Sequence, residues 1–130
     1  MSKLLLEQET FKVIGACIQV HKKLGSGFSE SVYHQAIEKE LLNTNIPFEQ
    51  QKKIPIYYDG EQLDEFFIAD FVCYDNVILE IKSVPTILDQ MKQQVVNYLK
   101  SSTIEVGMLI NFGEKSLKWK RFVHTVSIEK

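Results

Sequence analysis

Residues 66–83 read FFIADFVCYDNVILEIKS. Aromatic and β-branched residues dominate 66–73 and 77–81, so the pattern predicts two strands. Tyr74, Asp75 and Asn76 separate them as a three-residue hairpin loop, with Asn76 expected to take the left-handed backbone that closes it. That loop length pairs Cys73 with Val77 and, counting back, Asp70 with Glu80. Strand side chains alternate, so Lys82 shares the face of Glu80. Directly opposed residues have Cβ atoms ~4.5–5.5 Å apart, where like charges repel. Two carboxylates set so close, among Ile68, Val72 and Ile78, are what a divalent cation would hold together, because hard cations take carboxylate oxygens. A two-residue loop would send Glu80 to the other face, so the candidate site depends on the loop.

On either side of this hairpin the pattern changes. Residues 4–24 read as a helix, with Phe11, Ile14, Cys17, Ile18 and His21 at three- and four-residue spacing. Gly25-Ser26-Gly27 stops it. A second helix spans 28–42, with Phe28, Val32, Ala36, Ile37 and Leu41 expected inward, and Asn43, Asn45 and Pro47 break it. Residues 53–58 form a strand, and Asp59-Gly60 signals a further hairpin. Pro85 opens a third helix over 86–101, with Ile87, Met91, Val95 and Tyr98 as its inward stripe. Residues 105–111 (EVGMLIN) suit a buried strand, and Phe112-Gly113-Glu114 turns the chain. The last strand, 117–124, carries Lys118 and Lys120 on one face and Trp119 and Arg121 on the other, and 127–130 are expected to fray. The order is α-α-β-β-β-α-β-β. The step from Ile78 through the third helix to Met108 suits a right-handed crossover between parallel strands. The fold class is therefore α/β, one domain over residues 1–130 with a mixed sheet.

A chain of 130 residues, 45% hydrophobic, has the size and composition of one ordinary domain with a proper core. A formal net charge of −2 carries no global sign of nucleic-acid binding, so any anion site must be local. Cys17 and Cys73 sit in apolar stretches without metal-ligand spacing and read as small buried residues rather than a disulfide. The opening MSKLLLEQETF has too short an apolar run for a signal peptide, and no run approaches the ~20 residues of a membrane span. A cytoplasmic protein without membrane attachment is expected.

The residues that suit chemistry begin with Asp70, Glu80 and Lys82. They fit a solvated sheet face equally well, yet they share that face with apolar residues on strands that look central. A carboxylate pair beside a lysine is what metal-assisted phosphodiester hydrolysis needs: carboxylates for Mg²⁺ or Mn²⁺, and an ammonium to orient water or offset charge. Glu30 lies in the first turn of the second helix, where the helix dipole favours a carboxylate, or it serves as a further metal ligand. Gly27, Glu30 and Tyr33 are three apart, with Gly27 allowing close backbone approach and Tyr33 in the core or bonded to Glu30. Gln94 flanks the stripe of the third helix, as a surface amide or as a group reaching phosphate or water. His21, His34 and His124 stand on three elements without ligand spacing and read as core or surface residues. Lys115, Lys118, Lys120 and Arg121 surround Trp119, as a charged edge strand or as phosphate contacts with an aromatic platform.

The segments LGSGFSESVYHQAI (24–37), FIADFVCYDNVILEIKS (67–83), QQVVNYLKSS (93–102) and GMLINFG (107–113) resemble, in this order, the small bacterial and archaeal GxxExxY proteins of the PD-(D/E)XK nuclease superfamily. The resemblance runs from Phe11 to Val123. It implies a restriction-endonuclease-like core, a mixed central sheet flanked by helices. It also implies a nuclease acting on nucleic acid, DNA first, with Mg²⁺ or Mn²⁺. By that resemblance Glu30 is the helical acid, Asp70 and Glu80 are metal ligands, Lys82 completes the E-x-K, and Gln94 is the polar residue of the following helix. Tyr33, Lys118, Lys120 and Arg121 are the expected nucleic-acid contacts. Ala69 stands where the superfamily name has Pro, and Met91 where relatives often carry His. The alternative is a non-catalytic nuclease-fold module that binds nucleic acid or a protein. So small a chain has few loops to grip a duplex, which makes a homodimer or a partner an expectation as well.

Overall fold

The computed structural model describes residues 6–124. The helix turn expected before residue 6 and the fraying expected at 127–130 lie outside the described residues. The elements are α1 (Glu7–Leu24), α2 (Glu30–Asn43), β1 (Phe48–Tyr58), β2 (Glu61–Cys73), β3 (Val77–Lys82), α3 (Asp89–Lys100), β4 (Val106–Asn111) and β5 (Lys118–Val123). Their order is the expected one. They form one five-stranded mixed sheet in the order β1-β2-β3-β4-β5. Only β3 and β4 are parallel, joined by α3, with Val77 opposite Val106 and Lys82 opposite Asn111.

Two apolar clusters occupy the two faces of the sheet. Phe71, Leu79, Ile81, Met108 and Ile110 pack on one side with Val13, Cys17, Val20, Tyr33 and Ile37 of α1 and α2. Ile78, Val72 and Ala69 pack on the other with Leu99 of α3. Gly107 has no side chain because α3 lies on it: a Cβ there would stand 2.6 Å from the Val95 side chain. The result is a helix–sheet–helix sandwich, the layering expected of an α/β fold. Cys17 and Cys73 are buried free thiols, as expected. Burial pushes the Cys73 thiol up to about 12.

Several local expectations are corrected. The inward face of α1 is Val13, Ala16, Cys17, Val20 and His21, and Phe11 is 77% exposed. Val13, Ala16, Cys17 and Val20 form the stripe that packs into one cluster with Tyr33 and Ile37 of α2, and Phe11 lies off that stripe. In α2 the buried stripe is Tyr33, Ile37 and Leu41, while Val32 is exposed, as is Phe28, which precedes the helix. In α3 it is Val95 and Leu99. β1 and β2 extend well beyond the expected 53–58 and 66–73 because they form one long ribbon, turned at Asp59 and Gly60, both at positive φ. The β2–β3 loop has the expected three residues, with Cys73 opposite Val77. Tyr74 and Asp75, not Asn76, take the left-handed backbone. Asn76 instead accepts the Glu105 N–H at 2.9 Å and donates to the Glu105 carboxylate at 2.8 Å, which ties the loop to the start of β4.

Candidate active site

The β2–β3 ladder runs only from Cys73↔Val77 to Phe71↔Leu79. The next position is Asp70 and Glu80, and there the two strands part. β2 continues along β1, whereas β3 continues along β4. Strands that part leave backbone N–H groups without ladder partners, and a buried N–H must find an acceptor. The two carboxylates supply it crosswise. Glu80 Oε2 accepts the Asp70 N–H at 3.0 Å, and Asp70 Oδ2 accepts the Ile81 N–H at 2.7 Å. The opposed pair is thus brought together, although held by backbone donors in the fork between strands.

β2 also changes its facing here. Ala69 packs into the α3-side cluster, and Phe71, two residues on, packs into the α1/α2-side cluster. Regular alternation would put both on one face. The opposite residue of β1, Gln51, has φ 51° and leaves the Gln51/Asp70 position of the ladder unpaired. The ribbon is therefore bent at Asp70.

Glu80 is 6% exposed. Burial, then the neighbouring Asp70 charge, raises its carboxyl to about 7, opposed by the Asp70 N–H, Lys82 and His34. A buried carboxylate repelled by another gains from any cation placed between them. Lys82 follows two residues on, half-buried, near enough for its charge to act on Glu80.

His34, read from sequence as core or surface, reaches this fork from α2. Its Nε2 donates to Asp70 Oδ1 at 3.3 Å, and its ring stacks on Phe71 at 4.9 Å between centroids. The bond to Asp70 raises the imidazole pKa against the effect of burial, and the charges of Asp70, Glu30 and Glu80 add to it. The sequence signal was its place four residues after Glu30, on the same helical face. On the α3 side, Tyr98 stacks flat on Phe67 at 3.6 Å, and its phenol is raised by burial and then by Glu80 and Asp70.

The remaining expected residues fall as follows. Glu30 is exposed at the first position of α2. Ser83, next to Lys82, donates to Phe28 O at 2.7 Å and so draws the α2 start towards the end of β3. Among the described residues no group of three or more His, Cys, Asp or Glu side chains is gathered closely enough to hold a metal ion. Glu30 is thus not gathered with Asp70 and Glu80 into such a group. Tyr33 is 0% exposed, stacks on Phe112 at 4.6 Å and donates its hydroxyl to Gly25 O. It locks the loop before Glu30, which corrects its expected contact with nucleic acid. Gly27 has open space around it, and what it supplies is φ 105° rather than close approach. Gln94 is exposed on α3 and takes no part in these contacts. His21 donates to Glu114 O at 2.9 Å and its ring meets Phe112.

Lys120 pairs with Leu109, and Leu109 with Glu80. Lys118 pairs with Asn111, and Asn111 with Lys82. Paired residues share a face, so Lys118 and Lys120 stand exposed on the face of Glu80 and Lys82, two strands away. Arg121, opposite Met108, points to the other face, so it does not continue that basic surface. No helix among the described residues is long and apolar enough to cross a membrane.

A family model described as the PD-(D/E)XK nuclease superfamily matches residues 7–122. Among solved structures, the crystal structure of SSO0001 is similar with a TM-score of 0.51 and 20% identity, over 75% of this chain and 50% of that one. At that identity the likeness concerns the fold, and this chain spans about half of that protein's length. No curated protein matches the chain.

Proposed function

Since the chain belongs to the PD-(D/E)XK nuclease superfamily, we propose that it is one nuclease-like domain hydrolysing phosphodiester bonds of nucleic acid, DNA first, with a divalent cation, Mg²⁺ or Mn²⁺. The observation that carries this reading is the crossed carboxylate pair at the strand fork, with Glu80 raised to about 7 and Lys82 two residues on. The donor set fits a hard cation: two carboxylates, Glu80 anchored through one oxygen and Asp70 through both, whose mutual repulsion a cation relieves. Asp70 and Glu80 would hold it, leaving positions for water and phosphate oxygens. The ion supplies Lewis-acid polarisation of the phosphate and a more acidic bound water.

Lys82 orients the attacking water and offsets charge growing on the phosphate oxygens. Glu30, drawn near by Ser83, contributes negative charge from the start of α2. Lys118 and Lys120 contact flanking phosphates from the same sheet face, a sequence-independent attraction. Gln94, which the resemblance makes a polar helper, is left without a role in this reading.

Supercoiled plasmid and single-stranded DNA and RNA oligonucleotides, incubated with Mg²⁺ or Mn²⁺, test the reading. Cleavage by the wild type and its loss in Lys82→Ala, with metal binding retained, is expected. Binding of nucleic acid without cleavage of any of these substrates assigns the fold to the non-catalytic module instead.

A further inference from the structure

A carboxylate that is to hold an ion must present its oxygens in one orientation, and an Asp side chain turns easily about its last torsion. Asp70 is fixed at both oxygens. Oδ2 takes the Ile81 N–H at 2.7 Å, and Oδ1 takes His34 Nε2 at 3.3 Å. The first donor belongs to the sheet. The second comes from a helix on another layer, so its position depends on how that helix is seated.

That seating is firm. The residue before His34 is Tyr33, wholly buried, stacked on Phe112 and bonded to the loop that starts α2. The imidazole itself lies against Phe71, the neighbour of Asp70, at an interplanar angle of 24°, and Phe48 packs edge-on against Phe71 at 5.8 Å. The ring is thus held in plane over β2 while its Nε2 points at the carboxylate.

We propose that His34 is the positioning residue of this site: it fixes the Asp70 carboxylate from α2 and thereby sets the affinity for the metal ion. It does not join the coordination sphere, in keeping with the lack of any gathered set of three such ligands among the described residues. Partners of this kind, bonded to a metal ligand rather than to the metal, typically change affinity by about 10–100-fold when removed. The inference rests on the metal-dependent reading above.

The experiment measures Mn²⁺ binding by calorimetry on the full chain, with the metal-free thermal midpoint recorded alongside. The variants are His34→Leu, His34→Gln and Asp70→Ala. His34→Leu keeps apolar contact with Phe71 and loses the donor. His34→Gln loses the ring and keeps an N–H at similar reach. His34→Leu is expected to weaken Mn²⁺ by about tenfold or more, and His34→Gln to remain within about threefold of the wild type. Asp70→Ala is expected to abolish binding. Equal weakening in the Leu and Gln variants would show that ring packing, not the donated hydrogen bond, matters, and it overturns the proposal. Wild-type affinity in His34→Leu overturns it too. If the wild type binds no Mn²⁺, the metal-dependent reading falls first and this inference with it, an outcome distinct from the other two.

Discussion

Glu80 keeps a carboxyl group almost wholly out of water beside a second carboxylate, and this has a sign that can be measured. Its folded pKa of about 7 lies above the ordinary 4.5, through burial first and Asp70 second. Between those values the unfolded chain releases a proton that the folded chain retains, so stability falls as pH rises through that window. Above pH 7 the full cost of the charged, buried group is present, of order 3 kcal/mol at most. His34 acts in the same sense. Its pKa is raised by the bond to Asp70, so its contribution is complete below its unfolded value of 6.5 and is lost as pH rises through the raised one. The urea midpoint of the metal-free protein is therefore expected to drop between pH 5 and pH 8. Glu80→Gln should flatten that slope and be the more stable protein at pH 8. A wild-type midpoint that does not change over this range would show that Glu80 ionises as an ordinary surface carboxylate.

Among the elements, the β3–α3 and β4–β5 connections depend on one fully buried side chain. Asn111 Oδ1 accepts the Val84 and Gly113 N–H groups, each at 3.0 Å, and its Nδ2 donates to Val84 O and the Glu114 carboxylate, each at 2.9 Å. Asn111→Leu strands these partners in the interior and is expected to cost about 2–4 kcal/mol by denaturant unfolding. The same crowding makes Gly113 irreplaceable, since a Cβ there would lie 2.2 Å from Val84 O. Gly113→Ala should destabilise by about 3 kcal/mol. Gly15 is the contrast. It lies exposed within α1 with nothing within 4 Å of its would-be Cβ, so Gly15→Ala should add about 1 kcal/mol. Equal effects at the two glycines would contradict the packing described for the β4–β5 turn.

For the whole molecule, Mn²⁺ or Mg²⁺ should raise the thermal midpoint by mass action, and Asp70→Ala with Glu80→Ala should remove that response. Replacing Lys118 and Lys120 by Ala should weaken DNA binding alike for all sequences and lower the salt slope by about two. An unchanged slope would place the bound strand elsewhere. The element order, the parallel β3–β4 step and the Cys73↔Val77 register were legible in the sequence, because they follow from local periodicity, loop length and helix breakers. So was the pair Asp70 and Glu80, since a three-residue loop sets them opposite each other when counted back from Cys73 and Val77. The sequence did not show which residue of that loop would be left-handed, nor which side of α1 and α2 would be buried. Adjacent stripes such as Phe11 or Val13 have similar hydrophobicity, and only the fit between layers chooses one. It also could not show that β2 and β3 part at Asp70, leaving the carboxylates bonded to backbone, or that His34 rather than Glu30 meets them. The His34–Asp70 contact joins residues 36 positions apart, and only the seating of α2 on the sheet decides it.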